Sequence, residues 1–310
     1  MELNSLKQPP FNTTLMGVIK GVLDYYGIEA SNALTYGGTG HAFLINIHEE
    51  LCPSGPYCWK YEGFYKLLRN LGLEMTDLGF FHPGNSPEER ERVERTVRDY
   101  LDQGLACSLL NDENQLIYGY DDTHLLTARP WPMNPDFPPA TLTLGSWQEL
   151  GKAIHITFFV FRKLPKQDDL TIAQDGLRYA MDLFRTPENY SREHYGIGLR
   201  AYENWIKAAP EHGASHGNWW NATVWSECRA MAADYFSEIA QKWPGKAAGP
   251  ALELSAAYRK ISDLLSQVSR KDMAVEEKVR ILQELQKQEA SAVQKIGEFS
   301  HLLDSLHPEA

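Results

Sequence analysis

The sequence is short of the features that announce a partner. Its 310 residues contain no block of lysine or arginine, and a formal net charge of −11 argues against a general affinity for nucleic acid or an anionic membrane surface. No apolar run is long enough to span a bilayer. The first residues, MELNSLKQPPFNTT, lack the charged and then apolar regions of a secretory signal. Cysteine is sparse: Cys52, Cys58, Cys107 and Cys228 are expected to be free thiols in a cytoplasmic protein. There is no internal repeat, no low-complexity tract, no cofactor fingerprint and no His/Cys spacing that suits a metal. What is present is globular: 43% of the residues are hydrophobic and 23% charged, enough to bury one large core or two smaller ones.

The N-terminal half mixes helix and strand signals. Asn12, Thr13 and Thr14 offer caps to a helix with Leu15, Val18, Ile19, Val22 and Leu23 on one stripe, and Gly27 is its natural stop. AFLINI (42–47) reads as a buried strand, YCWKYEGFYKLLRNLG as a helix ending near Gly72, and LEMTDLGFF as an alternating strand. Ser86-Pro87-Glu88-Glu89 joins a capping hydroxyl, a proline in the first turn and acids at the positive end of the dipole, so a helix is expected through Leu101. LACSLL, QLIYGYDD, HLLTARPW and AIHITFFVFRK are four strand candidates in sequence. RPWPMNPDFPPA (129–140) is a loop, because its prolines fix φ and remove donors.

After KLPKQDD helical periodicity takes over, at 170–184, 196–208, 218–243, 251–268 and 275–306. The last segment sets Val279, Leu282, Leu285, Ala292, Ile296 and Phe299 at near-helical spacing, with charges between them. The expected fold class is α+β: an N-terminal domain over 1–165 with a mostly antiparallel sheet, then an all-helical domain over 166–310 that ends in a long helical hairpin.

The densest cluster of chemistry-bearing residues is YGGTGHAFLINIHEELCPSGPYCW (36–59). Its glycines match neither dinucleotide nor nucleotide phosphate loops, and a strand rather than a helix is expected after them, so a tight turn with φ > 0 is the better reading. His41 and His48 are an odd number of residues apart and on a strand face opposite sides, which disfavours a shared metal and leaves His41 as the pocket candidate. Cys58, at the start of the helix expected there, could gain thiolate character from the dipole; a half-buried loop thiol is the simpler reading. In YGYDDTHLL, Asp121 could orient a histidine or bind a cation, and hairpin chemistry alone also explains both acids. EHGASHGNWWNATVWSECR gathers His212, His216, Trp219, Trp220, Asn221 and Trp225, which suits a ligand pocket or, more simply, packing between domains, with Asn218 or Asn221 capping the helix.

Taken together, the capped helix ending DYYGI, the YGGTGHAF loop, the later YGYDD hairpin and the helical C-terminal half resemble the N-terminal domain of butirosin biosynthesis protein H and its relatives, within the papain-like, C39-peptidase-like superfamily. The resemblance implies a papain-like fold, with a nucleophilic cysteine at the start of the first helix and a histidine on the strand leading into the Gly-Tyr-Asp turn. It also implies acyltransferase or peptidase chemistry. The cysteine position falls at or near Thr14, and the histidine position holds Glu113 or a neighbour, so both members of the dyad are substituted. An internal threonine is a weak nucleophile without an adjacent base. The reading that follows is a papain-like protein with a degenerate dyad, binding a small molecule or peptide among Asn12, Thr13, Thr14, His41, Tyr120 and Asp121. The alternatives are an acyltransferase or amide hydrolase using Thr14 or a displaced cysteine, and an interaction protein that homodimerises through its C-terminal helices. No cofactor, nucleic acid or membrane enters any of them.

Overall fold

The computed structural model describes residues 1–131, 134 and 137–305. The sequence-predicted loop at 129–140 falls partly on 132–133 and 135–136, and Leu306 ends the last expected helix; these lie outside the described residues.

In chain order the elements are α1 (Thr14–Tyr25), α2 (Asn32–Gly38), β1 (Asn46–His48), α3 (Glu62–Asn70), β2 (Leu73–Phe81), α4 (Pro87–Asp102), β3 (Cys107–Leu110), β4 (Asn114–Tyr120), β5 (His124–Thr127), β6 (Thr141–Thr143) and β7 (Ile156–Lys163). Then come α5 (Asp169–Arg185), β8 (Tyr195–Ile197), α6 (Leu199–His212), α7 (His216–Lys242), α8 (Ala248–Val268) and α9 (Val275–Asp304). The fold is mixed α/β with antiparallel sheets and a helical C-terminal region, and no helix among the described residues is long and apolar enough to cross a membrane.

The chain divides into two compact units, each made of two stretches. One comprises Met1–Ala30 and Gly72–Lys166; the other comprises Ser31–Leu71 and Gln167–Ala310. The sequence reading assigned 1–165 to a single domain. The structure instead places 31–71, with its glycines and His41, among the helices of the second unit.

The sheet unit is a six-stranded antiparallel sheet in the order β2-β7-β3-β4-β5-β6. Strand alternation gives it two apolar faces. Ile117, Leu109, Phe158 and Val160 meet Val93, Val97 and Leu101 of α4 in one buried cluster. On β4 the neighbouring residue Leu116 faces the other way and comes against α1 at Gly21. The expected capping box is present: the Ser86 hydroxyl accepts from the Glu89 N–H, and the Glu89 carboxylate accepts from the Ser86 N–H.

The helical unit packs α7 against α8, and α9 against α5, α6 and α8. Leu282, Leu285, Ala292, Ile296 and Phe299, the apolar stripe of the last helix, are buried there. The region is not wholly helical, because β8 pairs with β1.

AFLINI is not a strand. Asn32–Gly38 forms α2, capped by the Ser31 hydroxyl, and Gly40 (φ 70°) turns the chain into a 3-10 turn over His41–Phe43. The strand is confined to Asn46–His48. The run was misread because it is buried all round, and a short buried run has no period to reveal its backbone. The carbonyls of Ala42 and Leu44, which a strand would pair with a neighbour, accept instead from Arg229 Nη1 at 2.9 and 2.8 Å. That guanidinium is itself fully buried and pairs through Nε with Glu289 at 3.0 and 3.1 Å, while the Tyr202 hydroxyl donates to the same carboxylate.

Candidate functional site

Thr14 and Glu113, the positions at which the resemblance expects a dyad, meet. Thr14, the first residue of α1, donates its hydroxyl to Glu113 Oε2 at 2.7 Å, although 99 residues separate them. The same hydroxyl accepts from the backbone N–H of Asn114, the first residue of β4, at 3.1 Å. Thr14 is 1% exposed and Glu113 6%. The local cause is legible in the elements. α1 has no acidic residue in its own first turn, so Glu113 supplies the negative charge that the positive end of a helix favours. Thr13 holds the cap position, its carbonyl accepting from the N–H groups of Met16 and Gly17. Asn12 precedes it, half-buried.

Gln8 completes this knot, and sequence reasoning passed over it. Its Nε2 donates to the Asn114 carbonyl at 2.8 Å and to the Thr14 carbonyl at 3.4 Å, and its Oε1 accepts from the Leu116 N–H at 2.9 Å. One amide side chain thus clamps the segment leading into α1 onto β4. A lone glutamine gives no local pattern, because its partners are defined only by the sheet. Asn114 Nδ2 is buried with no hydrogen-bond partner among the described residues.

Tyr120 and Asp121 lie at the opposite end of β4 from Glu113, about 23–26 Å away at the usual rise per residue. The structure does not bring them to Thr14. Asp121 Oδ1 accepts from the N–H groups of Thr123 and His124 at 2.7 Å and from the Thr123 hydroxyl at 2.9 Å. These bonds, the Thr123 N–H first among them, hold its carboxyl down at about 2. The residue closes a hairpin turn. Tyr120 donates to Asp102 Oδ1 and carries the Arg98 guanidinium over its ring.

His41 belongs to the helical unit and does not line a cleft: it is 1% exposed. Its ring sits among Trp59, Phe64, Tyr36 and Trp225, with centroids 5.8 to 6.3 Å away. Burial, reinforced by the nearby Arg229 charge, pushes the imidazole down from 6.5 to about 3, so the ring is neutral at physiological pH. Its Nδ1 lies 3.6 Å from Cys228 Sγ, a cysteine–histidine pairing across 187 residues that no sequence signal marks. Both side chains are sealed from solvent, so the pair has no access for a substrate.

The other thiols offer no better nucleophile. Cys58 lies four residues ahead of α3, outside its first turn, and is a half-buried loop thiol, the simpler of the two readings. Cys52 Sγ accepts from the Ser54 hydroxyl, which also meets the Tyr195 hydroxyl at 2.7 Å. Burial pushes the Cys107 thiol up to about 12.

In the tryptophan-rich segment Asn218, Trp220, Asn221 and Trp225 are buried in the helical unit, while His212 and Trp219 are half-buried and His216 is exposed. The Ser215 hydroxyl, and neither asparagine, caps α7. Asn218 instead accepts from Trp205 Nε1 and donates to the Val268 carbonyl; Asn221 donates to the carbonyls of Cys52 and Gly217.

Compared with known proteins, the chain matches no family model and no curated protein.

Proposed function

We propose that the sheet unit is a papain-like scaffold of the butirosin biosynthesis protein H N-terminal kind. In it the nucleophile–base pair has been exchanged for the Thr14–Glu113 hydrogen bond, and it binds a small molecule or short peptide at the N-terminus of α1 without acyl chemistry. The observation that supports this reading is the 2.7 Å contact between the residues standing where the resemblance expects cysteine and histidine. The state of the hydroxyl favours binding over catalysis. A nucleophile needs access to its substrate and a base suited to neutral pH. Thr14 Oγ1 both donates to Glu113 and accepts from Asn114, and the residue is almost wholly buried. A carboxylate is also a weaker base than the imidazole it replaces.

The same contact favours one second reading, in which Glu113 serves as base for acyl transfer through Thr14. Wild type and Thr14→Val are to be compared on p-nitrophenyl acetate and on N-acylated peptide p-nitroanilides, with intact-mass analysis for an acyl adduct. Binding without chemistry expects no turnover that depends on Thr14. It also expects a rise in melting temperature with one or more of a panel of short peptides and amines, lost in Asn12→Ala. An acyl-Thr14 adduct would transfer the assignment to the second reading; a flat thermal response across the panel would sink the first.

A further inference from the structure

The helical unit contains a pocket that neither reading of Thr14 uses. It has a volume of ≈ 70 Å³ and opens beside the C-terminal end of α7. At about 10–15 Å³ per water centre, that is room for about five waters, or for a ligand of about four to six heavy atoms. Leu34 of α2, Ala173 of α5 and Ile239 of α7 make its apolar wall.

Its polar groups are specific. Tyr235 is 2% exposed, and its hydroxyl has no hydrogen-bond partner among the described residues. The ring cannot swing away, because it is pressed on Gly37, where a Cβ would come within 2.2 Å of the ring atoms. Glu238 also lines the pocket and is close enough for its charge to act on the Tyr235 hydroxyl. Its Oε2 accepts from the Ser31 hydroxyl at 2.7 Å. The cation at the rim, Lys242, is matched by Asp169, with which it forms an ion pair. One net negative charge remains. The C-terminal end of a long helix adds the negative pole of its dipole. Trp243 contributes an aromatic face that already lies 6.0 Å from one ammonium, that of Lys242. Negative charge, aromatic faces, an unpartnered hydroxyl and a short apolar wall together select a small organic cation with an N–H to donate.

We propose that this pocket binds a short primary alkylammonium. The ammonium donates to Tyr235 Oη and to the Glu238 carboxylate, and the carbon chain lies along Leu34, Ala173 and Ile239. The test is calorimetric titration of the full chain with n-butylammonium chloride, 1-butanol and sodium butyrate at matched ionic strength. Saturable one-to-one uptake of n-butylammonium is expected, with the alcohol and the carboxylate weaker by about tenfold or more, the usual weight of a charge-assisted hydrogen bond. Glu238→Gln, at an exposed position, is expected to weaken uptake by a similar factor. Tyr235→Phe keeps the ring on Gly37 and is expected to weaken uptake by several-fold while leaving the melting temperature unchanged or higher. Equal uptake of all three solutes, absence of saturable n-butylammonium binding, or full affinity in Glu238→Gln would each overturn the proposal.

Discussion

In the sheet unit, the backbone of β3, β4, β5 and β7 finds its hydrogen-bond partners in neighbouring strands, and buried side chains add the Thr14–Glu113–Gln8 knot. In the helical unit, the segment from His41 to Trp59 runs among helices with a single three-residue strand, β1. Its carbonyls are met by side chains: Ala42 and Leu44 by Arg229, Gly55 and Cys58 by Asn46, Cys52 by Asn221. Buried backbone must be paired somewhere. A sheet does this with its own ladder, whereas an irregular segment inside a helical unit needs long donors projected from a distance. This accounts for a fully buried arginine in a chain whose remaining charges are mostly at the surface.

The comparison can be broken most severely at Glu289. Removing it in Glu289→Ala leaves Arg229 buried without its counter-charge, and a loss of about 3–5 kcal/mol in urea unfolding is expected. The double replacement Arg229→Met/Glu289→Leu is expected to lose less than the single one, since no unpaired charge remains. Equal losses would place the value of the arginine in the carbonyls it holds.

A second break runs through pH. Unfolding frees the His41 imidazole to protonate near 6.5, while the folded ring stays neutral down to about 3. Between those values the unfolded chain binds more protons, so stability falls as the pH drops through that window, by up to about 1.4 kcal/mol per pH unit, and His41 adds no slope above it. Urea midpoints between pH 7 and pH 4 are expected to fall more steeply in wild type than in His41→Phe. Parallel profiles would mean that the imidazole is hydrated in the folded protein.

The smallest of the three effects belongs to the sheet unit. Thr14→Val keeps the shape but leaves Glu113 without that donor and the Asn114 N–H without that acceptor, and about 1–3 kcal/mol is the expected loss. Thr14→Ser preserves both bonds and is expected to stay near wild type. If both variants matched wild type, the knot would be ornamental and the two units would differ less than their hydrogen bonds suggest.

How much could be read in advance divides along the same line. α4 was legible because its cap, its proline and its acids are adjacent in sequence. β2, β3, β4, β5 and β7 were legible because alternation or a short apolar run between turn residues marks them. β6 and β8, of three residues each, are too short to show a pattern. α2 was missed because NALTYGG contains poor helix formers; its helix rests on the Ser31 cap and on the close seat of Gly37 against Tyr235. In the site, Thr14 and Glu113 came from a resemblance between motifs, not from any local physical signal. Gln8, Asn114 and Cys228 were out of reach, since their partners lie many residues away and only folding makes them neighbours.

The interleaving of the two units also sets an order of events at the ribosome. The loop carbonyls at Ala42 and Leu44 leave the exit tunnel early, yet the arginine that pairs them is residue 229 and its counter-ion is residue 289. At about 5–20 residues per second, the 245 residues between Leu44 and Glu289 take on the order of 12–50 s to appear. For that interval the segment 31–71 is without those partners, whereas every residue of the sheet unit has been made once Lys166 appears. Synthesis therefore delivers the carbonyls of this segment well before the side chains that pair them.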